Sequence, residues 1–181
     1  MESFKHQGME YLYKKEVEHR DLKADNCLLD GNMRVKLADF GLSKSKIIFT
    51  TFTGPSSQTG LSGTVTHMAP ELLLQKLFTE KCDVYSFGIV MWEVLSRAVP
   101  FAGLPQEQIT ARVISEKRPS PIPEDSPSQL VTLMERCWHQ EPRVRFDFKE
   151  VVRKMKYAEA VIGLEEKGDL QCMLTSYSFC L

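Results

Sequence analysis

The sequence predicts a mainly α-helical domain, in which a helical bundle packs around one buried central helix and carries a small β-hairpin. Residues 83–95 are apolar on nearly every side, which is typical of a helix enclosed by a core. Cys27–Leu29 reads as a short apolar strand, and residues 30–32 supply turn chemistry. Val35 and Leu37 then alternate with basic residues, so these two segments predict a hairpin.

The composition favours one globular domain and excludes several classes of function. The chain has 181 residues, of which 43% are hydrophobic, enough to bury a core. A net charge of −1 gives no basic field for nucleic acid. The five cysteines are scattered without a Cys-x-x-Cys pair, which argues against a disulfide framework and a zinc site. We therefore expect a cytoplasmic protein with reduced thiols and no transmembrane segment in this chain, although missing regions could attach the parent protein to a membrane.

Four further helices are predicted from apolar residues at helical spacing. They cover residues 4–15, 106–117, 128–138 and 148–160. Residues 42–68 are rich in serine, threonine and glycine and show no period, so we expect a loop that is either functional or disordered. Residues 161–181 show no clean period and are predicted to be a poorly ordered tail.

Chemically useful residues concentrate between positions 19 and 41. His19-Arg20-Asp21-Leu22-Lys23-Ala24-Asp25-Asn26 comes before the hairpin, and Asp39-Phe40-Gly41 follows it. Carboxylates, an amide and cations together suit a site that holds a divalent metal, neutralises phosphate charge and accepts a proton. The hairpin would place Asn26 at one end and Asp39 at the other end of two paired strands, so that both side chains can face one metal.

The ordered set of motifs resembles the eukaryotic protein kinase catalytic domain. His-Arg-Asp-Leu-x-x-x-Asn is the signature of its catalytic loop, and Asp-Phe-Gly is the metal-binding partner of that loop. Ala69-Pro70-Glu71 and Asp83-Val84-Tyr85-Ser86-Phe87-Gly88 follow in the family's order. The resemblance covers residues 1–160 and implies a protein-kinase-like C-lobe, whose hairpin carries the catalytic and metal-binding loops. The N-lobe is expected to be absent, because no Gly-x-Gly-x-x-Gly or Val-Ala-x-Lys precedes these motifs.

Two sets of residues indicate the kinase group. Lys23 and the Gly63-Thr64 pair resemble serine/threonine kinases. Residues 83–88, with Cys137-Trp138, Pro142 and Arg145, resemble the tyrosine-kinase side of the superfamily. This mixture is similar to the tyrosine-kinase-like group of serine/threonine kinases.

The resemblance implies a role for each matching residue. Asp21 would accept or orient the proton of the substrate hydroxyl, Lys23 would contact the transferred phosphate, and Asn26 and Asp39 would hold Mg²⁺. Arg20 would bind a phosphorylated residue in the 42–68 loop. The remaining implied roles are Leu28 beneath the adenine of ATP, Thr64 bracing Asp21 and Lys23, Glu71 paired with Arg145, Asp83 holding the catalytic-loop backbone, and His19, Phe40 and Gly41 as structural residues.

Some features depart from the family or stay open. Glu18 stands where the family usually has an apolar residue, so we expect its carboxylate to disturb packing under the loop; Phe146 replaces a usual proline. The hydroxyl residues of the loop could be phosphorylation sites or flexible filler: Thr50, Thr51, Thr53, Ser56, Ser57, Thr59 and Ser62.

Two functions remain on the sequence alone. The first is an ATP- and Mg²⁺-dependent protein serine/threonine kinase, represented by a C-lobe fragment that is inactive or weak by itself. The alternative is a catalytically inactive scaffold or binding module. In either case, the missing N-lobe or a partner is expected to cover the apolar face around Leu28.

Overall fold

The structure, a computed structural model, describes residues 8–31, 35–45, 63–115, 118–119 and 121–165. Within these ranges the chain forms six α-helices and four short strands. They are α1 (Gly8–Lys14), β1 (Val17–Glu18), β2 (Cys27–Leu29), β3 (Val35–Leu37), β4 (Lys44–Ser45), α2 (Pro70–Leu73), α3 (Glu80–Ser96), α4 (Gln106–Ile114), α5 (Ser128–Cys137) and α6 (Phe148–Glu165). Single 3-10 turns lie at Ala24–Asn26, Phe40–Leu42, Val65–His67 and Pro142–Val144.

Helix α3 is the axis of the core. Its buried apolar side chains include Val84, Tyr85, Phe87, Ile89 and Trp92, none of which is more than 1% exposed. The helix begins three residues before the predicted position 83, because the N–H of Thr79 donates to the sulfur of Cys82 and caps the first turn. A residue with left-handed backbone, Arg97, ends it.

The other helices enclose α3. Helix α5 packs against α3, α6 packs against α5, and α1 packs against α6, while α2 contacts α4. At Gly88 the absence of a side chain permits the closest approach, since a Cβ there would lie 3.0 Å from the backbone nitrogen of Trp138. Among the helices of the described ranges, none is both long and apolar enough to span a bilayer.

The predicted hairpin forms between β2 and β3. The strands are antiparallel, and Cys27, Leu28 and Leu29 face Leu37, Lys36 and Val35 respectively. Residues 32–34 of its turn lie outside the described residues. A second antiparallel pair joins β1 to β4, with Glu18 opposite Lys44. The sequence did not predict this pair, because strands of two residues are too short to show alternation.

Several predicted boundaries differ from the structure. Helix α4 ends at Ile114 and not at 117, and α5 ends at Cys137, one residue early. Helix α6 continues to Glu165, five residues beyond the predicted end, and Val151, Met155 and Ala158 form its buried face within the predicted range. Residues 4–7 of the first predicted helix and residues 166–181 of the predicted tail lie outside the described residues.

Candidate active site

The carboxylate of Asp21 lies at the centre of the site and accepts hydrogen bonds on both oxygens. Its Oδ1 accepts from the backbone N–H and from the hydroxyl of Thr64, each at 2.9 Å. Its Oδ2 lies 3.1 Å from the ammonium of Lys23. The same ammonium donates to the Thr64 hydroxyl at 3.0 Å, so Thr64 bridges Lys23 and Asp21. Thr64 lies 43 positions after Asp21 in the chain, and its contacts help to fix the Asp21 carboxylate.

These contacts keep Asp21 ionised. Partial burial raises its pKa and is the largest single influence, but the hydrogen bonds from Lys23 and Thr64 together outweigh it. The pKa of Asp21 therefore lies below its ordinary value. A carboxylate that is ionised at neutral pH and held by fixed donors can orient a hydroxyl group and accept its proton.

Asp83, at the start of α3, holds the backbone that leads into this carboxylate. Its Oδ2 accepts from the N–H of His19 and its Oδ1 from the N–H of Arg20, both at 2.9 Å, and the Tyr13 hydroxyl donates to Oδ2 at 3.3 Å. Arg20 has a left-handed backbone with φ of 71°, a strained conformation for a side-chain-bearing residue. Asp83 is completely buried, and burial raises its pKa to about 6 despite the two N–H donors.

Asn26 and Asp39 flank the open end of the hairpin. The amide of Asn26 donates to the carbonyl of Asp21 at 2.8 Å, and the N–H of Ala38 donates to the Asn26 carbonyl at 2.9 Å. The residue after Ala38 is Asp39, which has a left-handed backbone and accepts from the N–H of Gly41 at 3.2 Å. Backbone pairing thus brings together two residues that are 13 positions apart.

The donor atoms at this end of the hairpin fit Mg²⁺. Asn26 donates through its amide nitrogen, which leaves the amide oxygen as its metal-coordinating atom, and Asp39 supplies a carboxylate. Mg²⁺ prefers oxygen ligands and is bound by one or two carboxylates together with waters and phosphates. Within the described residues, no group of three or more His, Cys, Asp or Glu side chains could hold a metal alone.

His19 and Phe40, two of the predicted structural residues, pack against each other beside the catalytic loop. The Phe40 ring packs against the imidazole of His19, with ring centroids 5.2 Å apart. The His19 ring also contacts the Ala38 carbonyl at 3.2 Å, and burial lowers its pKa, which favours a neutral imidazole. These contacts join the catalytic loop to the segment that contains Asp39.

Glu71 and Arg145 form a separate buried pair. The guanidinium donates to both carboxylate oxygens, at 2.7 and 2.8 Å, and further donates to the carbonyls of Lys81, His139 and Gln140. Bidentate geometry and a full set of acceptors make a buried ion pair tolerable. The pair connects α2, the start of α3 and the loop that follows α5.

Three apolar side chains on the hairpin and just after it are exposed. Leu28 and Leu29 are 54% and 53% exposed, and Phe40 is 47% exposed. Leu28 is the residue expected beneath an adenine ring, and it lies on the strand that follows Asn26. An apolar patch beside the candidate metal ligands could accept a flat ring or an apolar protein surface.

The expectation that Glu18 disturbs packing is corrected by the structure. Glu18 is buried, and its Oε2 accepts from Nε and Nη2 of Arg20 at 3.1 and 2.7 Å. The charge is therefore paired within the loop. The sequence did not predict this contact, although the two residues are separated only by His19. The one sequence feature that could have indicated the contact was Glu18 itself, at a position where the family usually has an apolar residue.

The phosphorylation expectations fall on residues outside the described ranges. These are Thr50, Thr51, Thr53, Ser56, Ser57, Thr59 and Ser62. A contact between Arg20 and a phosphorylated residue there stays a prediction. Of the other predicted residues, Asp21, Lys23, Asn26 and Thr64 are linked by direct hydrogen bonds, and Asp39 is linked to Asn26 through Ala38.

Comparisons with known proteins assign the chain to one family. A family model described as protein tyrosine and serine/threonine kinase matches residues 5–155. The chain is 42% identical over 155 residues to serine/threonine/tyrosine-protein kinase HT1 of Arabidopsis thaliana, covering 85% of this chain and 38% of that protein. It is 43% identical over 140 residues to dual specificity protein kinase shkC of Dictyostelium discoideum, covering 77% of this chain and 27% of that protein.

A relative from the rat is matched over a smaller share of its length. Mitogen-activated protein kinase kinase kinase 12 of Rattus norvegicus is 34% identical over 153 residues, covering 84% of this chain and 17% of that protein. The chain thus spans well under half the length of these curated relatives.

Proposed function

The chain belongs to the protein tyrosine and serine/threonine kinase family, in its tyrosine-kinase-like group, and from this premise we propose that it is the C-lobe of an ATP-dependent protein serine/threonine kinase. The observation that carries the proposal is the Asp21 carboxylate, held by Thr64 and Lys23 beside Asn26. The matched share of the relatives supports the assignment to part of a kinase domain.

In the proposed reaction, the hydroxyl oxygen of a protein serine or threonine bonds to the γ-phosphorus of ATP, and the bond from that phosphorus to the ADP oxygen breaks. Asp21 orients the hydroxyl and takes its proton. Lys23 lies 3.1 Å from Asp21, where its charge would offset that of the transferred phosphate. Positioning and charge neutralisation supply most of the catalysis in such transfers.

Asn26 and Asp39 are the proposed ligands of Mg²⁺. When bound, the metal would neutralise charge on the phosphates of ATP. The protein's own contribution is to fix the two ligands through the hairpin and through the Ala38 to Asn26 hydrogen bond. Leu28 is the proposed apolar contact for adenine, and its exposure supports that role.

Serine/threonine specificity is supported by Lys23 and Thr64. In this structure the two residues contact each other as well as Asp21, so they form one unit around the position proposed for the hydroxyl. A relative whose name includes tyrosine, HT1, makes the choice of hydroxyl a point to measure.

The experiment has two stages. Isothermal titration of the 181-residue chain with Mg²⁺-ATP measures whether it binds nucleotide by itself; we expect weak or no binding. The gene product at its full natural length is then assayed for phosphate transfer from labelled ATP to matched peptides that contain serine, threonine or tyrosine. Transfer to serine and threonine that stops on chelation of Mg²⁺ is expected. Absence of transfer at full length would overturn the proposal.

A second candidate is a binding module without catalysis. The exposed apolar surface at Leu28, Leu29 and Phe40 favours it, because a stable monomer tends to cover large apolar side chains. In the first candidate this face meets ATP and an N-lobe, and in the second it meets another protein. Tight nucleotide binding with phosphate transfer by the 181-residue chain would exclude the second candidate.

A further inference from the structure

Arg20, which immediately precedes Asp21, carries its positive charge in a largely buried position. Only 18% of its side chain is exposed, and the guanidinium lies over the Phe78 ring, 4.8 Å from the ring centroid. A guanidinium in such surroundings needs an anion, since the loss of hydration is otherwise uncompensated. The anion present is the carboxylate of Glu18, whose side chain is only 7% exposed.

The backbone holds both partners in place. Glu18 lies in β1, opposite Lys44 of β4, and β4 follows the Asp39-Phe40-Gly41 segment. The β1–β4 pair therefore fixes the position of Glu18. Arg20 is fixed by its N–H bond to Asp83 and adopts its left-handed backbone there. The β1–β4 pair therefore connects the entry of the catalytic loop to the segment after Asp39-Phe40-Gly41, and the Glu18–Arg20 ion pair lies at this junction.

We infer that Glu18 is the resident anion of Arg20, and that it positions the catalytic loop, and with it Asp21, without an added phosphate group. An external anion that is to bind Arg20 must displace Glu18. The anion-binding part of this inference is independent of catalysis, and only its effect on Asp21 rests on the proposed function.

Removal of the carboxylate should convert Arg20 into a site for a small anion. A cavity of about 590 Å³ is lined by Glu18 and Phe78, which both contact Arg20, and by the charged residues Glu80, Lys81, Glu141 and Arg143. Loss of the Glu18 carboxylate removes the acidic group of this lining that contacts the guanidinium. The probe is inorganic phosphate, compared with chloride at equal ionic strength. The readout is the thermal unfolding midpoint of the 181-residue chain.

We expect Glu18→Ala to lower the midpoint by roughly 5 °C or more. Inorganic phosphate should recover part of this loss, and it should leave the unsubstituted chain unchanged. The double variant E18A/R20A should not respond to phosphate. Glu18→Gln, which keeps the size of the side chain, is the second variant in case alanine prevents folding. Glu16→Gln is the matched control, because Glu16 is exposed and lies two residues away.

Two results would overturn the inference. One is an equal phosphate effect in the unsubstituted chain, since the guanidinium would then be open to anions. The other is a Glu18→Ala chain that is neither destabilised nor responsive to phosphate.

The positioning role has its own readout in the full-length protein. Glu18→Gln should lower kcat about tenfold with little change in KM for ATP, as expected when only the transition-state geometry is affected. Glu18→Asp should recover most of the rate. Equal kcat values for the unsubstituted protein, Glu18→Gln and Glu18→Asp would exclude the positioning role. If the unsubstituted protein transfers no phosphate, the proposed function fails, whereas the thermal experiment still decides the anion site.

Discussion

Arg145 and Glu71, 74 residues apart in the sequence, form a bidentate ion pair in which the arginine side chain is completely buried. A second bidentate pair, Arg153 with Glu150, has similar distances of 2.8 and 2.6 Å but lies on the surface of α6. The two pairs have the same chemistry and differ in burial, so the molecule contains its own comparison of a buried with an exposed salt bridge.

Breaking the buried pair should be far more costly than breaking the exposed one. Arg145→Met leaves the Glu71 carboxylate and three backbone carbonyls without their donor, and we expect a loss of about 3–5 kcal/mol in the free energy of unfolding. Arg153→Met is the matched control and should give no measurable change, because water replaces the lost contact. Urea unfolding of both variants measures the difference; comparable effects would contradict it.

Asp21 is predicted to be essential for phosphate transfer. Asp21→Asn keeps the shape but cannot accept the hydroxyl proton, so kcat should fall about 10²- to 10⁴-fold. Asp25→Asn is the control, because Asp25 is exposed in the adjacent 3-10 turn and should retain activity. Asp39→Ala should likewise abolish transfer by removing a Mg²⁺ ligand. Substantial activity in either the Asp21 or the Asp39 variant would refute the assigned roles.

The Thr64 hydroxyl should lower the pKa of Asp21 and increase the rate of phosphate transfer. Thr64→Val has the same shape but removes the hydroxyl that donates to Asp21 and accepts from Lys23, while the backbone N–H remains. We expect kcat to fall about tenfold, the worth of one hydrogen bond to a charged group. The pKa of Asp21 should also rise, which moves the acidic limb of the pH–rate profile to higher pH. Thr64→Ser should behave as the unsubstituted protein; an unshifted profile in the valine variant would count against the bridge.

Asp83 should make stability depend on pH in the opposite direction to an ordinary paired carboxylate. Its pKa is raised from 3.8 to about 6 on folding, so the folded state holds the proton more strongly. The contribution of this group is greatest below about pH 4, falls as the pH rises to about 6, and is constant above that, a change on the order of 3 kcal/mol. Urea unfolding between pH 4 and 7.5 should show this component, and Asp83→Asn should lack it. Identical pH profiles would contradict the raised pKa.

A side chain at position 88 should destabilise the folded protein. A Cβ there would lie 3.0 to 3.1 Å from the Trp138 backbone nitrogen and from the Cβ atoms of Cys137 and Trp138, which are fixed by the packing of α3 against α5. We expect Gly88→Ala to lose about 1–3 kcal/mol in spite of the better helix propensity of alanine. Gly31→Ala is the control, since a Cβ at that position meets nothing within 4 Å. Thermal unfolding of both variants is the measurement.

Local sequence patterns predicted the elements that position the site. The apolar run through α3 is too long for an ordinary strand, the hairpin from Cys27 to Leu37 contains turn residues between two short apolar segments, and the order of the short motifs identified the family. The short elements, namely α2, the β1–β4 pair and the 3-10 turns, were not predicted. They contain too few residues for a period and are stabilised by contacts with distant parts of the chain.

The sequence by itself determined which chemistry is available, because the residue types from His19 to Asn26 and at Asp39 are readable from their order. Only the tertiary structure decided how these groups are held. Thr64 reaches Asp21 across 43 residues, and Asp83 reaches the backbone of Arg20 across 63. Such contacts depend on the packing of α3 under the loop, which no local pattern encodes. For the same reason, Glu18 looked like a misplaced charge in the sequence, whereas burial beside Arg20 makes it a paired one.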